Sequence, residues 1–201
     1  MAGDAMNQMN FALAGLLLLS ACNGQPAQPA AEPPLAGASI GGPFVLTDQT
    51  GKTVRDTDFA GQYRIVYFGY TFCPDVCPVD VQNIGAGLKA LERSDPAIAA
   101  KITPIFITVD PERDTVPVVG QFVAAFHPRM VGLTGSPQAI AKVAKEFAIF
   151  YEKRQAPGAA EYLVDHSRQA YLMDPDGKPL ALLPADVGGV EVAAEIKRWV
   201  T

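Results

Sequence analysis

The sequence has few of the side chains that bind soft metals or form redox centres. Its 201 residues include three cysteines and two histidines, so any such site must be built from very few groups. Positive charge is also scarce, because 16 Lys and Arg stand against 21 Asp and Glu, for a formal net charge of -5. Nucleic-acid binding requires clustered cations that neutralise phosphates. We therefore expect no nucleic-acid partner.

The sequence also lacks an apolar run of membrane-spanning length. The run at residues 13–19 is far shorter than the roughly 20 residues that a transmembrane helix needs. We interpret residues 1–21 as a secretion signal with this run as its core. The signal ends in Leu19-Ser20-Ala21-Cys22, which resembles the lipobox of bacterial lipoproteins. In such signals the leader is removed and the cysteine, here Cys22, becomes the lipidated first residue.

Residues 22–42 are rich in alanine and proline and carry almost no charge. Prolines favour an extended chain of about 3.1 Å per residue, so we predict that this segment is a tether. The remainder, residues 43–201, has the length of one domain. A lipid on Cys22 would hold this domain at the membrane, on the periplasmic side of a bacterial cell envelope. Thiols do not stay reduced in such a compartment without help.

Strand and helix patterns alternate along residues 43–201. Two runs, residues 65–68 and 102–109, have the composition of buried strands. A helix lies between them, with apolar residues at helical spacing: Val81, Ile84, Leu88 and Leu91. Hairpins are predicted near both ends of the domain, and three more helices follow the second strand. This order predicts an α/β fold with a central mixed sheet, flanking helices and an N-terminal β-hairpin.

Cys73 and Cys77 flank a turn that directly follows the first buried strand, in the sequence Cys73-Pro74-Asp75-Val76-Cys77-Pro78. Because proline has no amide hydrogen, we expect the helix to begin at Pro78 and the residues between the sulfurs to form a bent turn. Such a turn can bring the β-carbons to the ~3.8 Å of a disulfide or open around a soft metal ion. A nearby helix start also favours the thiolate.

The two histidines occupy different sequence contexts. His166 follows a short apolar stretch and has polar neighbours, which is typical of a strand end near a functional edge. His127 lies at the end of a predicted helix and precedes a proline, where an imidazole interacts well with helix carbonyls. We therefore predict a structural role for His127 and weigh His166 as a metal ligand against a scaffold role.

Three segments spread over the domain carry a specific combination of motifs: Gly69-Tyr70-Thr71-Phe72-Cys73-Pro74-Asp75-Val76-Cys77-Pro78, Val109-Asp110-Pro111-Glu112-Arg113-Asp114-Thr115 and Val164-Asp165-His166-Ser167. Together they resemble the Sco/SenC family of copper-binding assembly proteins for cytochrome c oxidase. The resemblance implies a thioredoxin-like fold in which Cys73, Cys77 and His166 bind one copper ion. Two thiolates and an imidazole suit Cu(I), with Cu(II) as the alternative.

The resemblance also implies partners. A copper chaperone of this kind would deliver its ion to the binuclear copper centre of the oxidase, so we expect the copper-receiving subunit or another copper chaperone as partner. A thiol reductant and the membrane, reached through the lipid anchor, complete the expected set. We expect a monomer.

Three further interpretations remain open from the sequence. In the first, Cys73 and Cys77 are the redox pair of a thiol-disulfide oxidoreductase that keeps client cysteines reduced, although such enzymes commonly have two residues between the cysteines. In the second, His127 joins the other three residues as a fourth ligand to zinc. In the third, Thr71 near Cys73 belongs to a peroxiredoxin-like peroxidase. The sequence favours a metallochaperone over an enzyme.

Overall fold

The computed structural model describes residues 31–201, so the predicted signal at residues 1–21 and Cys22 lie outside the described residues. A seven-stranded mixed sheet forms the centre of the fold, in the order β2-β1-β5-β4-β3-β8-β9. Its strands are β1 (Val45–Asp48), β2 (Thr53–Arg55), β3 (Tyr63–Gly69), β4 (Ile102–Thr108), β5 (Val131–Thr134), β8 (Ala170–Met173) and β9 (Pro179–Leu183). The α/β fold with a central mixed sheet is confirmed.

The three middle strands are parallel and the outer strands are antiparallel to their neighbours. β3 and β4 pair in parallel along their whole length, from Tyr63 opposite Ile102 to Gly69 opposite Thr108. β4 also pairs in parallel with β5. β1 and β8 join antiparallel on the two sides, and β1 forms the predicted hairpin with β2. Since parallel strands need a crossover, helices fill the connections from β3 to β4 and from β4 to β5.

Helices cover both faces of the sheet. They are α1 (Val76–Ser94), α2 (Pro96–Ala100), α3 (Val116–Phe126), α4 (Pro137–Glu146) and α5 (Gly189–Trp199). Successive strand residues point to opposite faces, and β3 illustrates this. Tyr67 packs on Phe106, which in turn contacts Phe122 of α3. The next residue, Phe68, packs on Phe147 directly after α4. Both rings are buried, so β3 contributes to the core on each face.

A second, two-stranded sheet stands apart from the main one. β6 (Tyr151–Arg154) and β7 (Leu163–His166) pair antiparallel, with Tyr151 opposite His166. Three residues, 167–169, then connect β7 to β8 of the main sheet. No sequence pattern predicts β6, because three of its four residues are exposed and no apolar alternation marks it.

The first turn of α1 differs from the prediction. The helix begins at Val76 rather than at Pro78. The amides of the first helical turn have no partner inside the helix, so proline at the third position sacrifices no hydrogen bond. This earlier start places Cys77 within the helix and leaves its amide free to reach Cys73.

Residues 32–42 of the predicted tether contact the rest of the domain, which their composition does not predict. The Leu35 amide donates to the Leu180 carbonyl over 3.0 Å, and the Gly41 amide donates to the Glu146 carbonyl over 2.8 Å. Leu35 and Ile40 pack against the core. These two apolar residues are isolated in a proline-rich segment, so the sequence pattern does not indicate their contacts with the core. Within residues 31–201, none of the helices combines the length and the apolar character that a membrane span needs.

Candidate metal centre

Three side chains predicted from the sequence meet at the carboxyl end of β3. Cys73 lies in the turn after β3, Cys77 lies in the first turn of α1, and His166 is the last residue of β7. Their ligand atoms all lie within 4.8 Å of one another. The turn, the helix and the hairpin each contribute one donor, so the group exists only in the folded chain.

His166 faces Cys77 through a defined ring nitrogen. The Nε2 atom lies 3.0 Å from the Cys77 Sγ atom, and Nδ1 lies 2.8 Å from the Ser167 carbonyl oxygen. A carbonyl can only accept, so Nδ1 carries the proton and Nε2 presents a lone pair to the sulfur. The rings of Tyr70 and Tyr67 meet the imidazole edge-on, with centroids 5.9 and 6.4 Å away.

The two thiols are free, and their pKa values are shifted in opposite directions. The Cys77 amide lies 3.4 Å from the Cys73 Sγ atom and donates to it. The hydrogen bond from the Cys77 thiol lowers the pKa of Cys73 far below its ordinary value, against the effect of burial. The same bond, together with burial, raises the pKa of Cys77. The two thiols therefore titrate as a pair, and the opposite directions of their pKa shifts favour loss of the first proton from Cys73.

The centre is open on one side. Cys77 is fully buried, whereas Cys73 is half-buried and its neighbour Phe72 is 53% exposed. Two sulfurs and one imidazole nitrogen are soft to intermediate donors. This donor set fits a soft ion with three protein ligands, and the exposed side leaves room for a fourth ligand from outside.

A charged cluster beside the centre joins the cysteine turn to the hairpin. The Arg113 guanidinium stacks on Tyr162 at 3.7 Å from the ring centroid and lies 5.0 Å from that of Phe72. Its Nε atom donates to Asp110, which also accepts from the Tyr162 hydroxyl over 2.8 Å. In the sequence, Asp110 and Arg113 stand out only as members of a motif that gives them no role. Nothing local indicates that Tyr162, about 50 positions away, is their partner.

The zinc and peroxidase interpretations gain no support from the geometry. His127 is not among the three residues that meet. It packs instead near Gly85 in the middle of α1 and lies 3.4 Å from the Glu92 carboxylate near the end of that helix. The four-ligand zinc site is therefore not assembled among residues 31–201. Thr71 does not face a thiol partner either, because its hydroxyl donates to Asp114 over 2.6 Å.

A family model described as SCO1/SenC matches residues 32–201, which is most of the chain. The chain belongs to the SCO1/SenC family. Two relatives of this SCO1/SenC chain are protein SenC of Rhodobacter capsulatus, 47% identical over 141 residues, and SCO1 homolog 1 of Arabidopsis thaliana, 43% identical over 146 residues. The matches cover 70% and 72% of this chain. They cover 61% and 42% of the relatives, so the chain spans about half the length of the curated relatives it matches.

Solved structures agree with this family assignment. Bradyrhizobium japonicum ScoI with copper bound is 40% identical, with a TM-score of 0.71 over 80% of this chain and 99% of that one. The thioredoxin domain of a thiol-disulfide oxidoreductase from Bacteroides vulgatus has a TM-score of 0.54 at 16% identity, over 81% of this chain and 96% of that one. This second likeness concerns the fold alone, and it identifies the SCO1/SenC domain as thioredoxin-like.

Proposed function

We propose that this chain is a copper metallochaperone that binds one copper ion through Cys73, Cys77 and His166. The observation that carries the proposal is the convergence of two sulfurs and the unprotonated imidazole nitrogen within 4.8 Å at an open edge of the fold. Soft sulfur ligands favour Cu(I), and a three-coordinate ion is stable for that oxidation state. The copper bound in the related ScoI structure supports the choice of metal.

The client follows from the family. SCO1/SenC proteins assist the assembly of cytochrome c oxidase, so we assign the copper-receiving subunit of the oxidase, or another copper chaperone, as partner. Transfer proceeds by ligand exchange, in which a partner thiolate enters from the exposed side of Cys73 as the protein ligands leave. The chain acts as a monomer in this scheme, since all three ligands come from one chain.

Membrane attachment is the second part of the proposal. The lipobox at Cys22 supports a lipid anchor that holds the domain on the periplasmic side of a bacterial membrane. A related SCO1/SenC protein from Bacillus anthracis, 25% identical, is a lipoprotein. Expression of the full chain with radiolabelled palmitate tests the assignment. Label in the wild type and none in Cys22→Ser is expected, and equal label in both would refute the lipid anchor.

Copper binding by the reduced protein, measured against a competing Cu(I) chelator, tests the metal site. We expect one copper per chain in the wild type and weaker binding in each of Cys73→Ala, Cys77→Ala and His166→Ala. His127→Asn is the matched control, because it changes the other histidine and leaves the three ligands intact. Unchanged affinity in a ligand variant would remove that residue from the site.

A second function, thiol-disulfide reduction of the client's copper-binding cysteines, is favoured by one observation. The half-buried Cys73 sulfur accepts a hydrogen bond from the amide of the buried Cys77 over 3.4 Å, which is the arrangement of an accessible attacking thiol and an adjacent resolving thiol. Weak copper binding together with a reversible disulfide between Cys73 and Cys77 would favour this function. His166→Ala would then leave disulfide exchange nearly unchanged, whereas loss of either thiol would abolish it.

A further inference from the structure

An ion pair between the buried Asp80 and the exposed Arg168 lies one helical turn beyond Cys77, and the proposed copper chemistry does not use it. Asp80 is fully buried in α1. Arg168 binds it in a bidentate fork, from Nη2 to Oδ1 over 2.7 Å and from Nε to Oδ2 over 3.1 Å. The Tyr67 hydroxyl donates to the same carboxylate over 2.8 Å. Both carboxylate oxygens of Asp80 thus have hydrogen-bond partners. A bidentate pair of this kind fixes the orientation of the guanidinium relative to the carboxylate.

Arg168 occupies the middle of the three-residue connection between β7 and β8. On one side of it, His166 ends the hairpin, and on the other, Ala170 begins a strand of the main sheet. The fork therefore attaches this connection to α1, the helix that carries Cys77. The ion pair thus connects the segment that carries His166 to the helix that carries Cys77, although it contacts neither of these two side chains.

The connection also carries the group that determines the His166 tautomer. The Ser167 carbonyl accepts the His166 Nδ1 proton, and this carbonyl belongs to the peptide unit between Ser167 and Arg168. Ser167 is held on its other side by Phe150, whose amide donates to the serine hydroxyl and whose carbonyl accepts from the serine amide. The orientation of the carbonyl thus depends on two anchors, Phe150 and the Asp80–Arg168 fork.

We propose that the Asp80–Arg168 ion pair is a positioning device for His166, which holds the Ser167 carbonyl in place and keeps the imidazole in the tautomer whose Nε2 faces Cys77. Asp80 and Arg168 are positioning residues, because neither touches the metal-binding atoms. A partner on Nδ1 of a metal-ligating histidine typically sets both tautomer and ring orientation, and its loss lowers metal affinity about 10- to 100-fold. The consequence for copper rests on the proposed function, whereas the consequence for the tautomer does not.

The first experiment measures the tautomer in the reduced, metal-free protein. Labelling with ¹⁵N-histidine and recording long-range ¹H–¹⁵N spectra above the histidine titration range resolves the ring nitrogens, and the chain has only two histidines. The wild type is expected to show a proton on Nδ1 of His166. In Arg168→Met a mixture of tautomers is expected, because the Ser167 carbonyl is released. His127 provides an internal reference that does not change.

The second experiment measures Cu(I) affinity in the same variants. We expect Arg168→Met to bind copper at least tenfold more weakly and Arg168→Lys to restore part of the loss, because lysine reaches the carboxylate without the fork. Arg129→Met is the matched control. Its side chain is 38% exposed, against 43% for Arg168, and it also pairs with an acidic residue, but it lies near Ile102 at the opposite end of β4. Its copper affinity and both tautomers should stay at wild-type values.

Arg168→Met leaves Asp80 buried without its cation, and this alone lowers the stability of the variant. The double variant Asp80→Asn/Arg168→Met removes both charges and separates folding from positioning. A folded double variant that keeps the single Nδ1–H tautomer and copper affinity within twofold of the wild type would overturn the proposal. Wild-type protein that binds no copper would instead refute the proposed function, and the tautomer measurement would still decide the role of the ion pair.

Discussion

His166 and His127 each follow or end an element of secondary structure, but the regions around them use opposite nitrogens of the ring. At His166 the Nδ1 atom donates to the Ser167 carbonyl, which leaves the Nε2 lone pair facing the Cys77 Sγ atom at 3.0 Å. At His127 the Nδ1 atom accepts from the Arg129 amide over 3.2 Å, so the proton resides on Nε2. The first arrangement presents a lone pair to an open site, and the second uses the lone pair to close a helix end.

The surroundings of the two rings also differ, because His166 lies at an open site and His127 lies in the interior. Around His166 lie two thiols, two aromatic edges and an exposed side of the fold. Around His127, which is 1% exposed, lie the last turn of α3, the middle of α1 and the charged groups of Glu92 and Arg129. A histidine thus becomes a ligand candidate through the donors beside it and through the nitrogen that its hydrogen bonds leave free.

Replacement of His127 by alanine should give the largest change in stability. It removes a fully buried ring and leaves the Arg129 amide without its acceptor. Large-to-small changes in a core typically cost about 2–4 kcal/mol, and we expect a loss in that range in urea unfolding. Copper affinity of the variant that remains folded should equal that of the wild type. Weakened copper binding would contradict the separation of the two regions.

His166→Ala should give the converse result. We expect Cu(I) affinity to fall at least tenfold, or ~1.4 kcal/mol, because one of three donors is lost. Stability of the metal-free protein should change by less than about 1 kcal/mol, since the ring is only half-buried. Chelator competition and urea unfolding of the same samples measure both quantities. A stability loss that exceeds the loss in His127→Ala would show that His166 is a scaffold residue.

Stability should depend on pH through His127. Burial lowers the pKa of this imidazole below its ordinary value of 6.5. The unfolded chain therefore takes up the proton at a higher pH than the folded one, so stability declines as the pH falls from 6.5 toward the lowered pKa. His127→Asn keeps an acceptor for the Arg129 amide and removes the titration. Unfolding free energies between about pH 8 and pH 5 should fall less steeply in this variant than in the wild type. An identical slope in both proteins would mean that other groups cause the pH dependence.

Glu92→Gln should give the smallest effect. The Glu92 carboxylate lies near the His127 ring and binds Arg129 over 2.8 Å, but its side chain is 38% exposed. Ion pairs of this exposure contribute about 0–1 kcal/mol. The carboxylate also raises the His127 pKa against the effect of burial, so its removal should extend the acid-side loss of stability to lower pH. A loss that ends at the same pH as in the wild type would mean that Glu92 does not act on the ring.

Much of the scaffold can be predicted from the sequence because its signals are local. The stripe from Val81 to Leu91 places one face of α1 in the core, and all its members are buried as expected. Ser136 is the cap of α4, as its position before a proline indicates, and its hydroxyl accepts from the Ala139 amide over 3.1 Å. The thiol pair is evident from its spacing alone. Each of these features depends on residues that lie within a few turns of one another.

The hairpin and the groups around His166 cannot be predicted in the same way. β6 is mostly exposed and is ordered by its pairing with β7, which no local pattern encodes. Arg113 and Tyr162, or Asp80 and Arg168, are about 50 and 90 positions apart, and charged residues at such separations have no periodicity that links them. The start of α1 at Val76 is also difficult to predict, because Pro74 and Pro78 suggest a break in the helix. The first amides of a helix have no partner within it, so Pro78 is compatible with the first turn.

Local patterns in the chain specify the α/β order of elements, the thiol pair at a strand-to-helix junction and the short set of histidines that could join it. They favour His166 over His127, but they do not place the His166 ring beside the thiols. That placement depends on a hairpin that brings His166 back to β3 and on a carbonyl that keeps the proton on Nδ1. Both are long-range or orientational contacts, whose free energy arises from packing between elements and leaves no trace in local composition.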